Sequence, residues 1–138
     1  MRSESESMYE QIKTLEVGIS NSSGGGYRVK YDLERRVINW TDEYMWNNNF
    51  MKTLSERKYA LMREHLVQSG LLDWVQGYSE GKDSEFGKRV PTPANWNVNI
   101  TFFDGTTVNA AANQHFPYKW NELRHIIEET SDCYFKLR

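Results

Sequence analysis

The amino-acid sequence predicts an α+β domain, an antiparallel sheet of hairpins packed against two amphipathic helices in the order β-β-β-α-β-β-α. Three observations predict it. Apolar and polar residues alternate through 15–40 and 96–102, the period of strands with one buried face. Gly24-Gly25-Gly26 and Asp104-Gly105 are turn signals that divide those stretches into hairpins. In 54–66 and 120–130 the apolar residues recur instead every three or four positions, which lines one side of a helix. At 138 residues the chain holds one such domain around one core. Only 38% of residues are hydrophobic, but 5 Trp, 6 Phe and 8 Tyr supply large buried areas, and a net charge of −2 argues against wholesale disorder.

The opening Ser/Glu alternation is too polar to offset its ordering entropy, so a disordered tail is expected over 1–8 and the domain over 9–138. Leu15, Val17 and Ile19 mark the first strand, and the Gly24-Gly25-Gly26 turn leads to Tyr27, Val29, Tyr31 and Leu33 in the second. After a charged turn, Ile38 and Trp40 mark the third. Asn47-Asn48-Asn49 breaks the chain, because Asn bonds its own backbone and tolerates left-handed conformations. Thr53-Leu54-Ser55-Glu56 has capping-box spacing, which predicts a helix starting near Leu54 with Leu54, Leu61, Met62, His65 and Leu66 on one side. Gly70 ends or bends it. Leu71, Leu72, Trp74 and Val75 suit one more turn, and the polar, glycine-bearing run 76–89 is expected to be a mobile loop.

For the second hairpin the register is arguable from sequence. A two-residue loop at Asp104-Gly105 sets Ile100 opposite Asn109 and mixes the faces. A three-residue loop, with Gly105 left-handed as a bulge, pairs Ile100 with Val108, Val98 with Ala110 and Trp96 with Ala112, and keeps an apolar stripe. Pro117 suits a helix's first turn, and Trp120, Leu123, Ile126, Ile127 and Thr130 make the apolar side of the second helix. Cys133, Phe135 and Leu137 alternate as a terminal edge strand would.

The run Trp96-Asn97-Val98-Asn99-Ile100-Thr101-Phe102-Phe103-Asp104-Gly105, followed by Asn113-Gln114-His115-Phe116-Pro117-Tyr118-Lys119-Trp120-Asn121-Glu122-Leu123, resembles a pattern in a family of small uncharacterised bacterial proteins. In that pattern a strand, Asp-Gly and a second strand precede Asn, Pro, Trp and Leu. The match spans about 28 residues, and Ala111-Ala112 stands where such proteins often carry Gly before the Asn. The resemblance implies shared architecture and no activity.

The balance of 17 basic and 19 acidic residues supplies no general attraction for phosphate backbones or anionic membranes, so no nucleic-acid or membrane partner is expected. No apolar run reaches the roughly 18 to 20 residues of a spanning helix, and the basic start lacks a secretory apolar stretch. One cysteine, Cys133, cannot form an internal disulfide, which suits a reducing, cytoplasmic setting. Arg28, Lys30, Arg35 and Arg36 form the best basic patch, but alternation puts Tyr27 and Tyr31 on the opposite face, where they could not stack with bases.

Three histidines, His65, His115 and His125, are too scattered for a zinc set, and no phosphate loop or nucleophile elbow is present, so no metal or cofactor is expected. Two surfaces stand out instead. The outer face of the second hairpin displays Asn97, Asn99, Thr101, Thr107, Asn109 and Asn113, uncharged hydrogen-bonding groups that could hold a polar ligand or another sheet. Trp40, Tyr44, Trp46, Phe50 and Met51 crowd a connector with more aromatic surface than it needs, so Trp46 joins the candidate residues. The expected function is a non-enzymatic binding or protein-interaction module, with a homodimer among its forms. The alternative is a small metal-independent enzyme whose pocket pairs His65 or His115 with a carboxylate.

Overall fold

The computed structural model describes residues 4–137 and has the expected α+β class. A short helix, α1 (Glu4–Glu10), occupies most of the region expected to fray. Tyr9 anchors it, since its ring is buried and its hydroxyl oxygen accepts the Leu72 N–H at 3.0 Å. Residues 1–3 lie outside the described residues.

The period-two pattern forms β1 (Ile12–Asn21), β2 (Gly26–Asp32) and β3 (Val37–Asp42) as expected. Asn21 shapes the first turn, its side-chain oxygen accepting from the N–H groups of Ser23 and Gly25. The Asn run breaks the chain through a 3-10 turn, Trp46–Asn48, held under the buried Asp42 carboxylate, which accepts from the Tyr44 and Met45 N–H groups. A fourth strand, β4 (Phe50–Thr53), then precedes the helix and pairs with β3. Thr53 is therefore committed to the sheet, and the cap moves to Ser55, whose hydroxyl accepts the Lys58 N–H at 3.2 Å.

Helix α2 (Glu56–Ser69) ends at Gly70, left-handed at φ 65°, and α3 (Leu71–Ser79) follows directly. The expected loop over 76–89 is structured: α3 runs on to Ser79, then α4 (Asp83–Phe86) and β5 (Gly87–Arg89) follow. Glycine at 77 marks helix contact rather than flexibility, because a Cβ there would lie 2.2 Å from the Phe86 ring. Then come β6 (Ala94–Phe102), β7 (Thr107–Asn113), β8 (His115–Pro117) and α5 (Trp120–Ser131). Gly105 is left-handed at φ 90°, and the ladder pairs Ile100 with Val108, Val98 with Ala110 and Trp96 with Ala112, the three-residue-loop register. Pro117 ends β8 instead of opening α5, and among the described residues no strand forms after α5. Phe135 instead turns into the core, fully buried against Tyr27, Trp40 and Trp120.

The strands assemble as one six-stranded antiparallel sheet, β4-β3-β2-β1-β6-β7, with β5 and β8 pairing separately. Leu15, Val17, Val29, Tyr31, Ile38, Val98 and Ile100 lie on its inner face and are fully buried with Met62, Val75, Leu123 and Ile127 of the helices. An aromatic chain links the layers, with Trp96 in edge contact with Trp74 and Tyr78. Burial of these side chains outweighs the ordering entropy that the low apolar fraction leaves to be met.

Candidate interaction face

Opposite the helices the sheet is open, and the register fixes what it displays. Reading across β4, β3, β2, β1, β6 and β7, one row is Thr53, Val37, Asp32, Thr14, Thr101, Thr107. The next is Met51, Asn39, Lys30, Glu16, Asn99, Asn109. A third, starting at β3, is Thr41, Arg28, Gly18, Asn97, Ala111, and Ser20, Asn95 and Asn113 extend the β1–β6–β7 corner. These side chains are exposed or half-exposed except Gly18, because the outer side of an antiparallel sheet can face water.

Six of the seven predicted binding residues share this surface. Asn97, Asn99 and Thr101 on β6 are half-exposed, and Thr107, Asn109 and Asn113 on β7 are exposed. Direct cross-strand neighbours are Asn99 with Asn109 and Thr101 with Thr107. Trp46 does not join them: its backbone sits in the turn after β3, at the far side of the sheet order, and its side chain lies outside the described residues.

Two local features set the surface's shape. Gly18 gives Asn97 room, since a Cβ at Gly18 would come within 2.3 Å of Asn97 Oδ1. Asn99 Nδ2 donates to Glu16 Oε1 at 3.2 Å, which ties the β6–β7 half to β1 within one row. The β1–β3 half carries ionisable groups of both signs, and its Asp32 accepts the Glu34 and Arg35 N–H groups of the turn. Arg28 meets Glu43 at 3.1 Å, and Lys30 stands directly across from Glu16. The other two members of the expected basic patch lie off this surface: Arg35 is exposed in the turn, and Arg36 lays its guanidinium over the Tyr59 ring at 3.3 Å. The outer side of β6 and β7, by contrast, carries no ionisable side chain.

The aromatic connector is mostly core. Trp40 is buried and stacked on Phe50 at 5.9 Å, Tyr44 leans on Tyr27 at 5.5 Å, and Met51 emerges on the open face. The histidines separate. His115 Nδ1 lies 2.7 Å from the Tyr78 hydroxyl, whose own ionisation burial pushes well above the usual tyrosine range. His65 Nδ1 lies 3.9 Å from Glu129 Oε2 in a shallow cleft of about 210 Å³ between α2 and α5, which Glu122 and His125 also line. Burial also raises the Cys133 thiol, so it is a weak nucleophile there.

Among the described residues no group of three or more His, Cys, Asp or Glu side chains is placed to hold a metal ion, and no helix is long and apolar enough to cross a membrane. No protein-family model matches the chain, and no curated protein matches it. Sequence reasoning reached the β6–β7 half of the face through alternation, but missed its continuation through Gly18, Glu16, Lys30 and Arg28. That continuation depends on strand order, which period-two patterning does not encode.

Proposed function

We propose that the chain is a non-enzymatic interaction module of the cytoplasm that takes a protein partner on the uncharged half of its open sheet face. The observation that carries this is the contrast across one surface, where ionisable side chains stand on β1–β3 and only uncharged ones on β6–β7, with Glu16 reaching Asn99 at the border. Amide and hydroxyl groups both donate and accept, so a partner can satisfy them without the desolvation cost of buried ions. The groups are spread along two strands of an extended sheet face, an arrangement that offers a protein partner many contacts at once.

Affinity capture with the wild-type chain, with Asn97→Arg/Thr101→Arg, and with Glu64→Arg on α2 tests this. Partners held by the wild type are expected to be lost from the β6 double variant and kept by the α2 variant. Identical capture by all three would sink the proposal. A second reading, acid–base chemistry, is favoured by the approach of His65 to Glu129, and it takes precedence if His65→Ala abolishes function in the cell while the β6 double variant does not.

A further inference from the structure

The outer edge of β7 is a separate surface from the face, and its hydrogen-bond phase can be read. The Phe102 N–H donates to the Thr106 carbonyl at one end of the hairpin, and the Gln114 N–H donates to the Ala94 carbonyl at the other. Those two bonds turn the backbone groups of Val108, Ala110 and Ala112 toward β6, and those of Thr107, Asn109, Ala111 and Asn113 outward. β7 ends the sheet, and among the described residues no backbone hydrogen bond reaches those four outward-facing residues.

Edge strands are normally guarded against pairing by charge, proline, bulges or shortness. The opposite edge is guarded: β4 has only 4 residues, and one of them is Lys52. β7 has 7, Thr-Val-Asn-Ala-Ala-Ala-Asn, with neither charge nor proline.

We propose that β7 pairs antiparallel with β7 of a second copy, about a two-fold axis at Ala110. This goes beyond the open-face proposal and does not depend on it. The occupant is a second copy because the strand is complementary to itself in that register. Asn109 faces Ala111, Thr107 faces Asn113, Val108 faces Ala112 and Ala110 faces itself, so no like charges meet. The outward residues then form the four hydrogen-bonded pairs, about eight ladder bonds in all. On the inner side the half-buried Val108 and Ala112 face each other across the axis, and α3, which packs against β7, is brought beside its copy there. On the outer side the two uncharged β6–β7 halves meet at the axis and form one continuous surface.

Sedimentation of the wild-type chain over a concentration series is the first measurement, with twice the chain mass expected at the upper end. Ala111→Pro removes one outward N–H that the intrachain ladder does not use, so it should keep the wild-type circular dichroism and run at the chain mass where the wild type is dimeric. In a Cys133→Ser background, Asn109→Cys and Ala111→Cys chains should form a disulfide when mixed and oxidised, and neither should do so alone. Wild type at the chain mass up to about 0.5 mM, an Ala111→Pro chain that still dimerises, or mixed cysteine chains that do not cross-link would each overturn the proposal. Since Ala111→Pro leaves Asn97 and Thr101 unchanged, loss of the dimer and loss of a face-bound partner are read separately.

Discussion

Asp132 shows how much one exposed residue can organise. It ends α5 in the left-handed conformation, φ 61°, which Asp tolerates better than most residues. Its carboxylate also receives Lys58 Nζ at 2.7 Å and Lys52 Nζ at 3.2 Å, tying the end of α5 to α2 and β4. Those hydrogen bonds, with the charges of the same two lysines, hold the carboxyl below its usual range. A depressed folded value means that the stabilisation is present above the unfolded carboxyl range, near pH 3.9, and is lost as pH falls through the folded value. Asp132→Asn keeps a residue that tolerates the left-handed conformation and removes the charge. Its urea midpoint should fall below wild type at pH 7, and the gap should close on acidification to about pH 2. A gap unchanged by pH would assign the effect to the backbone. None of this was legible in the sequence, because the two lysines stand 80 and 74 residues away. The Asn and Thr positions of β6 and β7 were legible, because alternation and a tight turn are local. Gly105 specifies the register within its own hairpin, so nothing distant had to be known.

At the scale of elements, a four-residue strand decided the main boundary error. Thr53-Leu54-Ser55-Glu56 satisfies the capping-box pattern, but β4 claims Thr53 as the partner of Val37, so the helix is capped from Ser55. Ser55→Ala should therefore lower stability by about 1 kcal/mol, the usual cost of losing an N-cap side chain, while Thr53→Ala should stay within about 0.5 kcal/mol. Thermal melts of the two variants decide it, and the reverse order would restore Thr53 as the cap. The missed elements share a physical cause. β4 and β5 are too short for alternation to register, and the run 76–89, which holds the end of α3 and all of α4, carries glycines and polar residues that read locally as loop. Tertiary contact overrides those preferences: Gly77 admits the Phe86 ring, and Gly87 sits where a Cβ would meet Tyr78 and the Phe116 backbone. The terminal residues alternate as a strand does, yet Glu128 accepts the Phe135 N–H at 2.9 Å and Phe135 fills the core, so packing rather than pairing takes that segment.

For the whole molecule, strand order is the feature that makes the open face, and it joins segments far apart in the chain by placing β1 between β2 and β6. The same assembly buries three tyrosine hydroxyls at separate joints. Tyr9 ties α1 to α3 and is pushed up to about 12, chiefly by burial. Tyr31 bonds Thr130 at 2.6 Å between β2 and α5, and Tyr78 meets His115 between α3 and β8; burial is the largest cause of the rise at both. In the unfolded chain all three would ionise near pH 10. For an acid whose folded value is raised, the native state is favoured fully below the unfolded value, and that advantage is lost as pH rises through the interval between the two. Stability should therefore fall steeply from about pH 10 upward, with three joints loosening together. A spectrophotometric titration should show the exposed Tyr118 and Tyr134 ionising first, with the buried group ionising in the same step that loses near-ultraviolet dichroism. Tyr31→Phe should make the fall in stability above pH 10 shallower, because it removes one of the protons whose loss drives unfolding. If every tyrosine titrated near pH 10 with the dichroism intact, the three hydroxyls would have to be accessible to water and the packing at these joints would be wrong.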